Sequence, residues 1–146
     1  MGGKRRKWPK WLGGTITYEG FPMALRLRPG IDTAKRKAAH PWLICITHHL
    51  AEVRSNGLPD PDYNWSLMKL DLAIVKALKF GGQGIAVLVE TLAGRRSYYG
   101  YAQPLVPVGD LISSLRRRFP QYKITVQQRA DPKWALYTEY RKLIRW

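Results

Sequence analysis

The alternation of hydrophobic and polar residues predicts a β-hairpin in the middle of the chain, between Ile85 and Ala102. Mostly apolar residues lead into a tight basic turn at 93–96, and three tyrosines follow that turn. Two such runs on either side of a glycine-containing turn are typical of antiparallel strands. One further strand and one helix are predicted on each side, so the hairpin lies at the centre of a symmetric pattern.

A second hairpin is predicted near the N-terminus, with strands at 15–18 and 21–28. In the longer strand, apolar residues alternate with alanine and arginine, which turns the apolar side chains one way and Arg26 and Arg28 the other way. The segment 31–40 contains three consecutive cations and no clear period. It is therefore expected to be a basic connection without regular structure.

Three helices are predicted from apolar residues at helical spacing: residues 60–80, residues 108–119 and a C-terminal helix that begins at Asp131. The first and third begin with aspartate followed by proline. This pair suits a helix start, because aspartate caps the free N–H groups and proline has none to satisfy. Further strands are predicted at 42–50 and 122–128.

From Trp42 onward, the predicted order is strand, helix, strand, strand, helix, strand, which is the split βαβ or ferredoxin-like pattern. We therefore expect an α+β fold, a ferredoxin-like sandwich with an added N-terminal hairpin and an added C-terminal helix. In this topology, the strands at Trp42 and Ser97 are central, and the strands at Ile85 and Lys123 form the edges.

The length of 146 residues fits one domain with a substantial core. We expect residues 11–146 to form this single α+β domain. Residues 1–10 combine glycine, proline and a block of like charge, so they are expected to form a flexible basic arm.

The net charge is +15 and the isoelectric point is near 10.3, which indicates attraction to nucleic acid, an anionic membrane or an acidic protein. A basic composition that serves solubility alone is the competing explanation. Tyr99 and Tyr101 share one face of the second hairpin strand, beside the turn arginines, where a sheet can present rings for base stacking. A core role for these tyrosines is the alternative. The candidate binding surface comprises Lys4, Arg5, Arg6, Lys7, Arg26, Arg28, Lys35, Arg36, Lys37, Arg95, Arg96, Tyr99 and Tyr101.

No group of residues in the sequence predicts catalysis. His48 and His49 are neighbours on a strand and point to opposite faces, so they do not favour a shared metal. The glycine-rich segment 81–84 follows a helix and precedes a strand, the reverse of a phosphate-binding loop. We expect a protein that is not an enzyme, with no catalytic residues, no metal site and no cofactor.

Several spaced motifs resemble a bacterial family known as domain of unknown function 695. They are Tyr18-Glu19-Gly20-Phe21-Pro22, Pro41-Trp42-Leu43, Gly94-Arg95-Arg96-Ser97-Tyr98-Tyr99, Phe119-Pro120-Gln121-Tyr122 and Asp131-Pro132-Lys133-Trp134-Ala135-Leu136-Tyr137. The last of these, DPxWxxY, is the most specific. The family is similar in fold to the B-type protein regulator of ribonuclease E, so the resemblance implies a ferredoxin-like binding module.

These observations predict a non-enzymatic module that binds a macromolecule, such as an inhibitor or immunity-type protein that docks through a basic surface. The alternative is a protein that binds RNA or single-stranded nucleic acid through the tyrosines. The partner is thus an acidic protein or a nucleic acid. The single Cys45 excludes an internal disulfide, which is typical of a reducing compartment. No apolar run approaches the roughly 20 residues of a membrane span. We therefore expect a cytoplasmic protein without a membrane span.

Overall fold

The computed structural model describes residues 11–144. In it, the central hairpin forms where the sequence pattern predicts it. Its strands are β4 (Gly84–Leu92) and β5 (Arg95–Ala102). Ala93 and Gly94 form the turn with φ angles of 50° and 80°, as a tight two-residue hairpin requires. The arginines predicted to be part of the turn are therefore the first two residues of β5, and they point to opposite faces of the sheet.

The other elements have the following bounds. The strands are β1 (Leu12–Tyr18), β2 (Phe21–Leu27), β3 (Trp42–His49) and β6 (Lys123–Ala130). The helices are α1 (Thr33–Ala39), α2 (Pro61–Ser66), α3 (Met68–Ala77), α4 (Val108–Arg118) and α5 (Ala135–Leu143), with a short 3-10 turn at Phe80–Gly82.

The six strands form one antiparallel sheet in the order β1-β2-β4-β5-β3-β6. The predicted α+β class is confirmed, and β3 and β5 are interior strands as expected. The prediction that the Ile85 strand forms an edge is wrong. β2 pairs with it, placing Ala24 opposite Thr91, so the N-terminal hairpin extends the sheet beyond β4.

Two segments depart from their predicted secondary structure. The basic connection forms the helix α1, which begins after Asp32, whose side chain accepts a hydrogen bond from the backbone N–H of Lys35. The single helix predicted at 60–80 is divided into α2 and α3 at Leu67, whose N–H donates to the carbonyl of Asn64. Side-chain periodicity does not reveal this break, because Leu67 is buried as the predicted inner stripe requires.

One face of the sheet is covered by α3 and α4. Leu70 and Ile74 of α3 and Ile112 of α4 pack with Ile44 and Ile46 of β3 in an apolar cluster. This is the inner stripe that the helical spacing predicts, because residues three and four apart share one side of a helix.

The opposite face is covered in part by α5. Trp134 and Tyr137 pack there with Leu43, Leu88 and Tyr101 in a second, aromatic-rich cluster. The final helix thus lies on the sheet face where the tyrosine-bearing surface was predicted. No helix within residues 11–144 is long and apolar enough to span a membrane.

Candidate functional site

The two tyrosines predicted to share one exposed face have different environments. Tyr101 is fully buried, and its ring stacks on Trp134 with the ring centroids 4.1 Å apart. Tyr99 is half-buried and lies 6.0 Å from the ring of Tyr140. The prediction that Tyr101 belongs to a binding surface is therefore wrong, because α5 occupies the space above its ring.

Asp131 ties the start of α5 to the sheet. Its carboxylate accepts a hydrogen bond from the hydroxyl of Tyr101 at 2.6 Å and from the backbone N–H groups of Ala135 and Leu136. These hydrogen bonds outweigh the effect of burial and lower the pKa of Asp131. The prediction that this helix begins at Asp131 is wrong, because α5 begins at Ala135, after Trp134 in a left-handed conformation. Asp131 nevertheless satisfies two N–H groups of its first turn.

Beyond α5, the same sheet face is open and polar. A cleft of about 270 Å³ lies over β3, β5 and β6, and hydroxyl groups form much of its floor. Thr47 and Ser97 approach to 3.4 Å, and His49 contacts the hydroxyl of Thr125 at 3.2 Å. Exposed Arg95 and half-buried Tyr99 also line this cleft.

The open cleft contains several titratable groups, among them Cys45, His49 and Glu90. Burial raises the pKa of the Cys45 thiol, and the charge of Glu90 raises it further. Burial also raises the pKa of Glu90, which accepts a hydrogen bond from Tyr140. Cys45 and His49 are four residues apart along β3, about 13 Å, too far for His49 to deprotonate the thiol directly. Within residues 11–144, no cluster of three or more potential ligands is arranged to hold a metal ion.

Two of the predicted surface arginines belong to a network on the helical face instead. Arg96 is 9% exposed and donates hydrogen bonds to Thr91 and Asn64. Arg26 is half-buried and forms a bidentate ion pair with Asp71. Their charges are therefore used within the fold, and the prediction that Arg96 belongs to an exposed binding surface is wrong.

Asp71 is the centre of this network. It accepts a hydrogen bond from the buried hydroxyl of Tyr98 at 2.7 Å in addition to the two from Arg26. Burial alone would raise the pKa of Asp71, but the hydrogen bonds and the charges of Arg26 and Arg96 lower it. The carboxylate thus stays ionised and holds α3 to β2 and β5.

The other predicted cations divide into two groups. Lys35, Arg36 and Lys37 lie on α1, with the first two exposed, and half-buried Arg28 lies beside that helix. Lys4, Arg5, Arg6 and Lys7 lie outside the described residues.

A family model matches residues 10–141. The chain belongs to DUF695, a family of unknown function. Neither the curated proteins nor the solved structures include a match to the chain. In this DUF695 protein, the DPxWxxY motif has a structural role, because Asp131, Trp134 and Tyr137 bind α5 to the sheet.

An exposed apolar stripe on α2 and α3 is the feature of this DUF695 protein that the sequence did not predict. Its members are Trp65, Met68 and Leu72, with exposures of 69%, 46% and 63%. Trp65 and Met68 line one cavity, and Leu72 is one helical turn beyond Met68. These residues lie outside the inner stripe of the same helices, and that mismatch was the signal available in the sequence.

Cations flank the apolar stripe. Lys69, Lys76 and Arg118 line a cavity of about 470 Å³ together with Leu72, and all three are exposed. Arg26 lines the neighbouring cavity with Trp65 and Met68, but its charge is paired with Asp71. The stripe and the three exposed cations together form what we call the α2–α3 surface.

Proposed function

We propose that the protein is a non-enzymatic docking module that binds an acidic protein through the α2–α3 surface. The observation that carries this proposal is the contiguous exposure of Trp65, Met68 and Leu72. Tryptophan and methionine are enriched at the centres of protein interfaces, where a few large side chains supply most of the binding energy. Exposed residues of this size side by side favour an interaction site over a merely solvated surface.

The flanking cations favour an acidic partner. Lys69, Lys76 and Arg118 surround Leu72, and the whole chain carries a net charge of +15. Complementary charge speeds association and excludes partners of the wrong sign more than it adds affinity. An acidic nuclease or toxin held inactive by an inhibitor or immunity-type protein is a partner with this chemistry.

The similarity in fold that the DUF695 resemblance implies, between this family and the B-type regulator of ribonuclease E, favours a binding module. We propose that β4-β5-β3-β6 with α3 and α4 is a ferredoxin-like unit, since its strand order and connections fit that topology. The front hairpin and α5 are additions to this unit. We further propose a bacterial, cytoplasmic setting, with which the lone free Cys45 is consistent.

The alternative proposal is binding of single-stranded nucleic acid on the open sheet face. The observation that favours it is the exposed Arg95 beside half-buried Tyr99 in one cleft. It is the weaker proposal, because the burial of Tyr101 leaves a single tyrosine where stacking platforms use successive rings.

A photo-crosslinking amino acid in place of Met68 tests the docking proposal in cells. We expect it to capture an acidic protein, and the purified pair should then lose affinity by about ten-fold or more with Trp65→Ala, the typical cost of a central tryptophan. The matched control is Leu105→Ala. Leu105 is also a large exposed apolar residue, with 99% exposure, but it lies in the loop before α4 and not on the α2–α3 surface. Equal losses for the two variants would contradict the proposal.

A salt series on single-stranded RNA tests the alternative. If nucleic acid is the partner, log affinity falls with log salt by about 0.7 per phosphate contacted. Tyr99→Ala should then lower the affinity by about 1 to 3 kcal/mol, while Trp65→Ala leaves it unchanged. An RNA affinity that Tyr99→Ala leaves unchanged would contradict this alternative.

A further inference from the structure

A cavity of about 480 Å³ lies where the end of β2 meets α1. Three cations line it. Arg28 directly follows β2, and Lys35 and Arg36 belong to α1. Asp32 also lines it, with one carboxylate oxygen accepting a hydrogen bond from the backbone N–H of Lys35. The cavity thus has an excess of positive charge.

In the part of the chain that the structure describes, no ion pair neutralises a cation of this cavity. Within residues 11–144, the ion pairs join Arg26 to Asp71, Arg54 to Asp60 and Lys142 to Glu139. The guanidinium of Arg28 has only a long contact of 3.5 Å to the carbonyl of Ala86 and a position 5.9 Å from the ring centre of Trp11. Burial lowers the pKa of Arg28, and the charge of Arg36 lowers it further, so a bound anion would relieve both effects.

His40 supplies an independent indication of a ligand. It lines the same cavity and is 5% exposed. Its Nδ1 lies 3.3 Å from the carbonyl of Arg36, and because a carbonyl only accepts, Nδ1 carries the proton of that hydrogen bond. Its Nε2 is buried and has no hydrogen-bond partner among residues 11–144, which is uncommon for a buried polar atom and calls for an explanation.

The backbone of both key residues is fixed by α5 and its preceding turn. The hydroxyl of Tyr137 donates a hydrogen bond to the carbonyl of Arg28, and the indole N–H of Trp134 donates to the carbonyl of His40 at 2.8 Å. The backbone N–H of Arg28 also donates a hydrogen bond to the carbonyl of Val87 at 3.0 Å. A site held in place before binding loses less freedom when its ligand arrives.

We propose that this cavity binds an oxyanion of the phosphate class. The guanidinium groups of Arg28 and Arg36 suit such an anion because their planar forks match two phosphate oxygens each. His40 lies in the same wall of the cavity, beside Arg36. The walls also contain Ile31, Ala39 and Ile85, and the volume leaves room for the organic part of a phosphate ester.

Titration of the full chain with inorganic phosphate at constant ionic strength tests the site, with calorimetry as the readout. Arg28→Gln and Arg36→Gln should each weaken binding by about ten-fold or more, as expected for loss of a charged hydrogen bond. Lys37→Gln is the matched control, because it removes the same charge from α1 but Lys37 does not line the cavity. An equal loss with Lys37→Gln would show diffuse attraction to a basic surface and would overturn the proposal.

Nitrogen chemical shifts of the histidines give a second, direct readout. The chain has three histidines, and His40→Gln identifies the resonances of His40. Saturating phosphate should move the Nε2 resonance of His40 and leave those of His48 and His49 in place. No movement at His40 overturns the proposal. If His40→Gln does not fold, sequential assignment of the intact chain gives the same readout.

Adenosine monophosphate, with adenosine as its control, distinguishes the possible sources of the anion. Tighter binding of the monophosphate than of inorganic phosphate, with no binding of adenosine, assigns the site to a phosphate ester. Equal binding of the monophosphate and inorganic phosphate assigns it to free phosphate. Competition by adenosine as strong as that by the monophosphate would exclude recognition of the anion.

Discussion

The two faces of the sheet differ in how far their helices cover β5. On the face under α2, α3 and α4, the side chains of Arg96 and Tyr98 are both buried, so coverage reaches the start of the strand. On the face under α5, exposure falls along the strand from Arg95, which is exposed, through half-buried Tyr99 to buried Tyr101. β5 is thus covered along its whole length on one face, and on the other face it is open at the end near Arg95.

The difference arises from the length and position of α5. The helix has nine residues, Ala135–Leu143, and the ring of Tyr140 on its second turn lies 6.0 Å from the ring of Tyr99. Trp134, which precedes it, lies on Tyr101. Two tyrosines on the same face of the same strand therefore have different roles. The position of the covering helix, and not strand alternation, therefore decides which ring is available to a ligand.

The largest effect is expected from Trp134→Ala, which removes the side chain that closes the covered end. Trp134 is fully buried, and we expect a loss of about 3 to 5 kcal/mol in the free energy of unfolding. Urea denaturation measures it. Trp65→Ala is the control, because Trp65 is 69% exposed and should change stability by about 0.5 kcal/mol or less. Similar losses for the two variants would mean that α5 does not close this face.

The next largest effect is the pH dependence caused by His48, on the closed face. Burial and the nearby charges of Arg96 and His49 lower the pKa of His48 from 6.5 to about 4. Between these values, the unfolded chain binds more protons than the native protein, so stability rises with pH across this window. The full contribution is about 3 kcal/mol, present above the unfolded pKa and lost as the pH falls towards 4.

His48→Gln should remove this part of the pH dependence, while His49→Gln should retain most of it, because burial is the largest cause of the shift. The difference between the unfolding free energies measured at about pH 4 and about pH 7 shows this directly. The ring centroids of His48 and Tyr122 lie 5.2 Å apart in a T-shaped arrangement, so His48→Gln also costs some packing at every pH. That constant loss cancels in the difference. If the unfolding free energy of His48→Gln changes with pH as it does in the wild type, a group other than His48 causes the pH dependence.

Much of the fold could be predicted because local patterns determine it. The spacing of Leu70 and Ile74 predicts the buried side of α3, and the alternation of Met23 and Leu25 predicts the inner face of β2, and all four are buried. The break at Leu67 could not be predicted, since Leu67 satisfies the helical period on both sides of it. The pairing of β2 with β4 depends on contacts far apart in sequence, which local patterns do not contain.

The candidate site was predictable only in part. Arg26 and Arg96 have the same sequence signature as exposed cations, but Asp71 and Asn64 face them across the fold. A local pattern cannot identify such distant partners. The exposure of Trp65 could have been predicted from the sequence, because Trp65 lies outside the predicted inner stripe of the 60–80 helix. A large apolar residue in such a position is either exposed to solvent or bound to a partner.

The third prediction compares the hydroxyl groups of the two tyrosines. Tyr101→Phe removes a donor to Asp131 and an acceptor for the N–H of Tyr137, so we expect a loss of about 2 kcal/mol. Tyr99→Phe should cost about 0.5 kcal/mol, because Tyr99 is only half-buried. Equilibrium unfolding of both variants at neutral pH gives the comparison. Equal losses would show that the open end of the face is as tightly packed as the covered end.

The smallest expected effect concerns the reactivity of Cys45, in the open cleft. Burial and the charge of Glu90 raise the pKa of its thiol, so the rate of alkylation by iodoacetamide should rise with pH to a midpoint above the ordinary 9.0. Glu90→Gln should lower that midpoint slightly, since it removes a negative charge.

The same experiment tests whether the cleft is open in solution. If iodoacetamide reaches Cys45 in the native protein, the alkylation rate depends on reagent concentration and exceeds the rate of unfolding. Trp134→Ala speeds unfolding, so it should raise the alkylation rate only if Cys45 reacts from the unfolded chain. A rate that is independent of reagent concentration and equal to the unfolding rate would mean that the cleft is closed. The difference between the two ends of this face would then be one of chemistry and not of access.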